Sequence, residues 1–116
     1  MPNEVRLQRI GDRIREILSE MLIHEINDPR LEGISITDVT VDRELAYANI
    51  FFSCLEGSER KKEILEGFKH ARGYLRRELA NRIDLRTFPR LRFHWDPTQE
   101  NADHIERLIQ DLHKDE

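Results

Sequence analysis

The sequence predicts an α+β domain in which a three-stranded sheet carries helices on one face. Two observations predict it: apolar residues recur at three-and-four spacing in several runs, and apolar and polar residues alternate in three short runs that fall between the first and last of these. At 116 residues the chain is near the commonest size for one domain, so a single core over residues 1–116 is expected.

The first run places Leu7, Ile10, Ile14, Ile17, Leu18, Met21 and Leu22 on one face of a long amphipathic helix. Pro29 disfavours helical geometry in the residue before it, so the helix should stop between Ile26 and Asp28. From Ile34 to Asp42 β-branched residues alternate, but Ile34 and Ile36 are out of phase with Val39 and Val41, which predicts a strand with a bulge near Thr37 and Asp38. A short turn at Arg43 and Glu44 leads to a second strand, Leu45 to Cys54, and the tight connection makes the two an antiparallel hairpin. Ser58 is a suitable N-cap for a helix with apolar positions Ile64, Leu65, Phe68 and Ala71. Leu75, Leu79 and Ile83 continue as a further helix. Gly73 lies between the two, where a helix-interior glycine costs about 1 kcal/mol, so a kink or tight junction is expected there. Leu91, Phe93 and Trp95 alternate with Arg92 and His94 as a third strand, and Ile105, Leu108, Ile109 and Leu112 mark a C-terminal helix. Helix, strand, strand, helix, helix, strand with an added C-terminal helix is the order of a type II KH-like domain, although fold alone does not establish function.

Charge is unevenly distributed. The net charge is −4, yet Arg60 to Arg92 holds eleven Lys and Arg against four acids, so one contiguous third of the chain is strongly positive while the remainder is acidic. Such a third attracts phosphates locally while the whole stays soluble. Lys69, Arg72 and Arg76 recur at three and four residues opposite Phe68, Ala71, Leu75 and Leu79, with Arg77 beside them, and Arg82, Arg86, Arg90 and Arg92 extend the run. Arg6, Arg9 and Arg13 share a side of the first helix, where Asp12, Glu16 and Glu20 are placed to neutralise them. Tyr47 and Phe51 are out of phase with the inward residues of their strand, beside Arg92 and His94. They either stack on bases, as in sheet-based RNA binders, or pack beneath the terminal helix, whose apolar stripe needs a surface to cover; packing is the commoner outcome.

Nothing in the sequence assembles catalytic chemistry. The five histidines have no metal-ligand spacing, so no metal or cofactor is expected. The serines lie in no nucleophile elbow, and there is no Gly-rich phosphate loop. One cysteine, Cys54, permits no internal disulfide and reads as a small buried hydrophobe. No stretch is apolar and long enough to span a membrane, and the N-terminus lacks a secretory signal, so a cytoplasmic location is expected.

Five segments in order carry a closer likeness: the arginine-studded opening helix, DPRL at Asp28 to Leu31, ITDVTVDRELAYANIFFS at Ile36 to Ser53, ARGYLRREL at Ala71 to Leu79, and LRTFPRLRFHWD at Leu85 to Asp96. Together they resemble the bacterial ribosome-binding factor A family over nearly the whole chain. In that family a short helix kink replaces the Gly-x-x-Gly loop of KH domains, and Ala71, Arg72 and Gly73 occupy the place here. The resemblance implies a non-enzymatic maturation factor of the small ribosomal subunit. It would bind 16S rRNA in free 30S subunits, assist late assembly and processing of the rRNA 5′ end, and matter most in the cold. RNA binding would fall on Lys69, Arg72, Arg76, Arg77, Arg82 and Arg86, with a second patch at Arg6, Arg9 and Arg13. A monomer is expected, with ribosomal proteins as further possible partners. The alternative is a protein-interaction module whose acidic remainder grips a basic partner.

Overall fold

The computed structural model describes residues 3–98 of the chain. The first helix, α1, runs Glu4–His24 and is opened by Asn3, whose side chain accepts a hydrogen bond from the Arg6 backbone N–H at 2.8 Å. The expected stripe is buried as one face, joined by Gly11. Beyond α1, Asp28 caps a single 3-10 turn at Pro29–Leu31 and is itself gripped by the Arg30 side chain, with Nη2 to Oδ2 at 2.8 Å. Leu31 enters the core from this turn.

Strands β1 (Ile34–Val41) and β2 (Tyr47–Cys54) form the antiparallel hairpin, and their register shifts between Ile36 and Asp38, where the change of phase predicted a bulge. The extra residue returns Ile36 and Val39 to the same buried side despite their three-residue spacing. Strand β2 begins two residues later than expected. Leu45 adopts φ 56° and Asp42 Oδ1 accepts from the Ala46 and Tyr47 backbone N–H groups, so residues 42–46 all belong to the turn.

Strand β3 (Arg90–Trp95) pairs parallel with β2, giving a mixed sheet in the order β1-β2-β3. A parallel neighbour requires a crossover. Here it is α2 (Lys61–Arg82), entered through a 3-10 turn at Ser58–Arg60. Both helices lie on one face of the sheet and share one core with it. Ile14, Leu18 and Met21 of α1 and Ile64, Phe68, Leu75 and Leu79 of α2 are fully enclosed with Ala48, Ile50 and Phe52 of β2. Cys54 is buried as expected; its thiol donates to the Gly57 carbonyl at 3.4 Å, and burial pushes its pKa up.

Two expectations fail. The helix α2 starts three residues after Ser58, with Arg60 and not Ser58 at its N-cap position, because a 3-10 turn precedes it. The two helices predicted to meet at Gly73 are a single helix of 22 residues, and Gly73 lacks the left-handed backbone that Gly33 and Gly57 adopt. The reason is one of magnitude. A lone helix-interior glycine costs about 1 kcal/mol, whereas each of Phe68, Leu75 and Leu79, buried on one continuous face across that point, contributes about 1.5–3 kcal/mol. The predicted C-terminal helix at Ile105 to Leu112 falls outside the described residues.

The glycines that pack closely are two others. A Cβ on Gly11 would lie 2.6 Å from the Val39 carbonyl oxygen, and one on Gly67 would lie 2.8 Å from Leu31 Cδ2, whereas one on Gly73 would meet nothing within 4 Å. Gly11→Ala is therefore expected to destabilise the protein by about 1–3 kcal/mol, since backbone must move. Gly73→Ala is expected to stabilise it by about 0.5–1 kcal/mol. Denaturant unfolding of the two variants checks the opposite signs.

Candidate nucleic-acid interface

The core determines which side chains face outward. Because Phe68, Leu75 and Leu79 point into the sheet, the opposite side of α2 presents Lys69, Arg72, Gly73, Arg76 and Arg77, all exposed. Parallel pairing sets Arg90 beside Tyr47 and Arg92 beside Asn49, on the sheet face away from the helices, with Leu91 and Ala48 turned inward. The middle of α2 and the start of β3 then enclose a groove of about 450 Å³, lined by Arg72, Arg76, Arg90 and Arg92 with Tyr47, Gly73 and Leu91. Four guanidinium groups and no carboxylate line it. The missing side chain at Gly73 leaves its wall open.

The four arginines differ in what else they hold. Arg76 donates through Nη2 to the Phe88 carbonyl at 2.7 Å and through Nε to the Pro89 carbonyl at 3.2 Å, fastening the segment that leads into β3. Arg92 lies with its guanidinium carbon 3.3 Å from the centre of the Tyr47 ring. Hydrogen bonding to Arg92, and the charges of Arg92 and Arg90, hold the Tyr47 phenol below its usual pKa. Arg72 and Arg90 form no ion pair with another described residue, and both are exposed.

The other predicted residues scatter. Lys69 lies in a neighbouring concavity of about 420 Å³ with Arg30, His70 and the acid Glu66. Arg77 is exposed on α2 and Arg86 is exposed in the segment leading to β3. Arg82 is engaged elsewhere: its Nη2 donates to both Glu25 oxygens, at 2.7 and 2.8 Å, and lies 3.5 Å from Glu78, which ties the end of α2 to the end of α1 and raises the Arg82 pKa. On α1, Arg13 pairs with Glu16 at 3.4 Å, as the helical spacing foretold, while Arg6 and Arg9 are exposed. Ala71 is half-buried against the core.

Arg90 and Arg92 extend the basic run and Tyr47 is expected beside Arg92, but none of the three is among the residues to which the resemblance assigns RNA binding. Alternation along β3 puts the two arginines on one face, but only the parallel register with β2 brings Tyr47 between them. Among the described residues, no group of three or more His, Cys, Asp or Glu is arranged to hold a metal ion, and no helix is long and apolar enough to cross a membrane.

Residues 6–109 match the family model described as ribosome-binding factor A. The chain is 42% identical over 112 residues to ribosome-binding factor A of Azoarcus sp. (strain BH72), covering 96% of this chain and 89% of that protein. It is 35% identical to the Finegoldia magna protein of the same name, covering 97% and 95%. Its fold is similar to that of Thermus thermophilus ribosome binding factor A as fitted into a cryo-EM map of its complex with the 30S subunit. That match has a TM-score of 0.64 at 21% identity and covers 78% of this chain and 96% of that one.

The double use of Arg76 separates it from its neighbour. Arg76→Ala is expected to destabilise the fold by about 1.5 kcal/mol, as it removes a charged donor from two backbone carbonyls. Arg72→Ala should change stability by less than about 0.5 kcal/mol. Thermal melts of the two single variants measure the contrast.

Proposed function

Because the chain belongs to the ribosome-binding factor A family, we propose that it binds the 30S ribosomal subunit and that the α2–β3 groove is the surface that docks on its RNA. The groove carries this reading. Arg72, Arg76, Arg90 and Arg92 converge there without an intervening acid, in a protein whose net charge is negative. Phosphodiester oxygens are the ligands that such a constellation fits, since a guanidinium presents a planar fork of donors and the groove offers several in succession. The net negative charge of the whole disfavours indiscriminate contact with nucleic acid and so favours docking through the basic surfaces.

In this reading the protein acts by placement. It docks on 16S rRNA in free 30S subunits late in assembly and holds an immature arrangement until the rRNA 5′ end has been processed. Arg77, Lys69 and Arg86 add contacts outside the groove, and Arg6, Arg9 and Arg13 form a weaker second patch. No covalent step is assigned to it, and a cytoplasmic monomer suffices. Its value rises in the cold, where misfolded RNA helices escape slowly.

Arg72 and Arg90 are the residues to remove, since neither holds the fold together. The double variant Arg72→Ala, Arg90→Ala is expected to melt like the parent and to bind 30S subunits at least about tenfold more weakly. The slope of log affinity against log salt should fall by about two, one for each lost phosphate contact. Co-sedimentation with purified 30S subunits across a salt series measures both. Unchanged affinity and slope would remove the groove from the interface.

A further inference from the structure

The face of the sheet turned away from the helices is not bland. Tyr47, Asn49 and Phe51 project from it along β2, and Arg90, Arg92 and His94 stand directly across from them on β3. The side chains form ordered π surfaces. The Arg92 guanidinium carbon sits over the Tyr47 ring, 3.3 Å from its centre, and the Phe51 and His94 rings are 5.2 Å apart at 31°. His94 Nε2 is 2.9 Å from Asn49 Oδ1, which fixes the imidazole over its neighbour. Tyr47, Phe51 and His94 are each only partly buried, and Arg92 is exposed.

We propose that this outer face is a base-stacking platform for single-stranded RNA, with one unpaired base on the free side of the Arg92 guanidinium and another on the Phe51–His94 pair. The inference rests on the RNA-binding reading of the groove and extends it from phosphates to bases. Continuity with the groove is the first support. Tyr47 and Arg92 belong to both surfaces, so a strand whose phosphates lie in the groove can turn its bases onto the sheet. Charge is the second. Arg90 and Arg92 favour a polyanion along β3, whereas the single acid across from Phe51, Asp38, is an acceptor suited to the donors on a base edge. Spacing is the third. Tyr47 and Phe51 are four residues apart, about 13 Å along the strand, so they serve two separate bases. Sheets that bind RNA through strand aromatics work in this way, and because every base has a π face the contact tolerates any sequence.

The test must separate bases from phosphates. The intact protein is titrated with a single-stranded RNA decamer of mixed sequence and with an abasic strand of equal length and charge. The two probing variants are Phe51→Leu, which keeps apolar bulk without a ring, and Arg92→Lys, which keeps the charge without the planar fork. The platform predicts that the parent binds the base-bearing strand at least about fivefold more tightly than the abasic one. Phe51→Leu should reduce that ratio towards one while leaving affinity for the abasic strand unchanged, and Arg92→Lys, whose side chain also lines the groove, should reduce the ratio as well as weaken the abasic strand. Arg72→Ala, by contrast, should weaken both strands alike and leave the ratio intact. A parent that binds both strands equally, as it would if residues beyond 98 covered this face, overturns the platform and leaves the groove standing. Variants that preserve the ratio overturn it too. Loss of binding to both strands in the parent would count against the groove as well.

Discussion

The arrangement of this molecule depends on where Phe68 sits. Its ring is fully buried against the two parallel strands, stacked on Phe93 of β3 at 4.1 Å and 8°, and tilted against Phe52 of β2 at 5.2 Å. Aromatic contacts of this kind have preferred geometry as well as buried area, so they fix how α2 is rolled about its axis. With Leu75 and Leu79 following on the same side, the roll is locked over three turns. The basic side is then held at the margin of β3. Every feature of the groove, including the open wall at Gly73, follows from that roll.

The arginines divide by what they already hold. Arg60 binds the Glu32 and Arg30 carbonyls and pairs with Glu63, Arg82 joins the two helix ends, and Arg76 fastens the approach to β3. These side chains keep the elements in place. Arg72 and Arg90, without such ties among the described residues, are the groups whose charge is left for a ligand. A similar division separates the glycines. Gly11 and Gly67 admit neighbouring chain at close range, while Gly73 leaves space on the outside, where its absent side chain serves access and does not serve packing.

Much of this was legible in the sequence because it rests on short-range periodicity. The buried stripe of α1, the bulge between Ile36 and Asp38, and the hairpin follow from which residues alternate and where the phase slips. The basic stripe of α2 follows from the same reasoning, as does the pairing of Arg13 with Glu16. What was misread or missed depends on contacts between distant residues. A glycine within a helical pattern signals a local cost, but the burial of Phe68 and Leu75 on either side of it, which overrides that cost, belongs to the packed fold. The occupations of Arg76 and Arg82 are invisible without the tertiary contacts to Pro89 and Glu25. Alternation places Tyr47 on the same outer face as Arg92, but its pairing opposite Arg90 needs the register of a parallel pair whose strands are separated by all of α2.

Cleavage from a tethered iron chelate measures how near the groove lies to ribosomal RNA. The chelate is attached through Gly73→Cys, inside the groove, or through Leu55→Cys, which is 93% exposed beyond the far end of β2; the native Cys54 is buried. Each labelled protein is bound to 30S subunits, and hydroxyl radicals are generated. Strong, localised cleavage of 16S rRNA is expected from position 73 and little from position 55. Strong cleavage from position 55 with none from position 73 would place the groove away from the RNA and contradict its docking there.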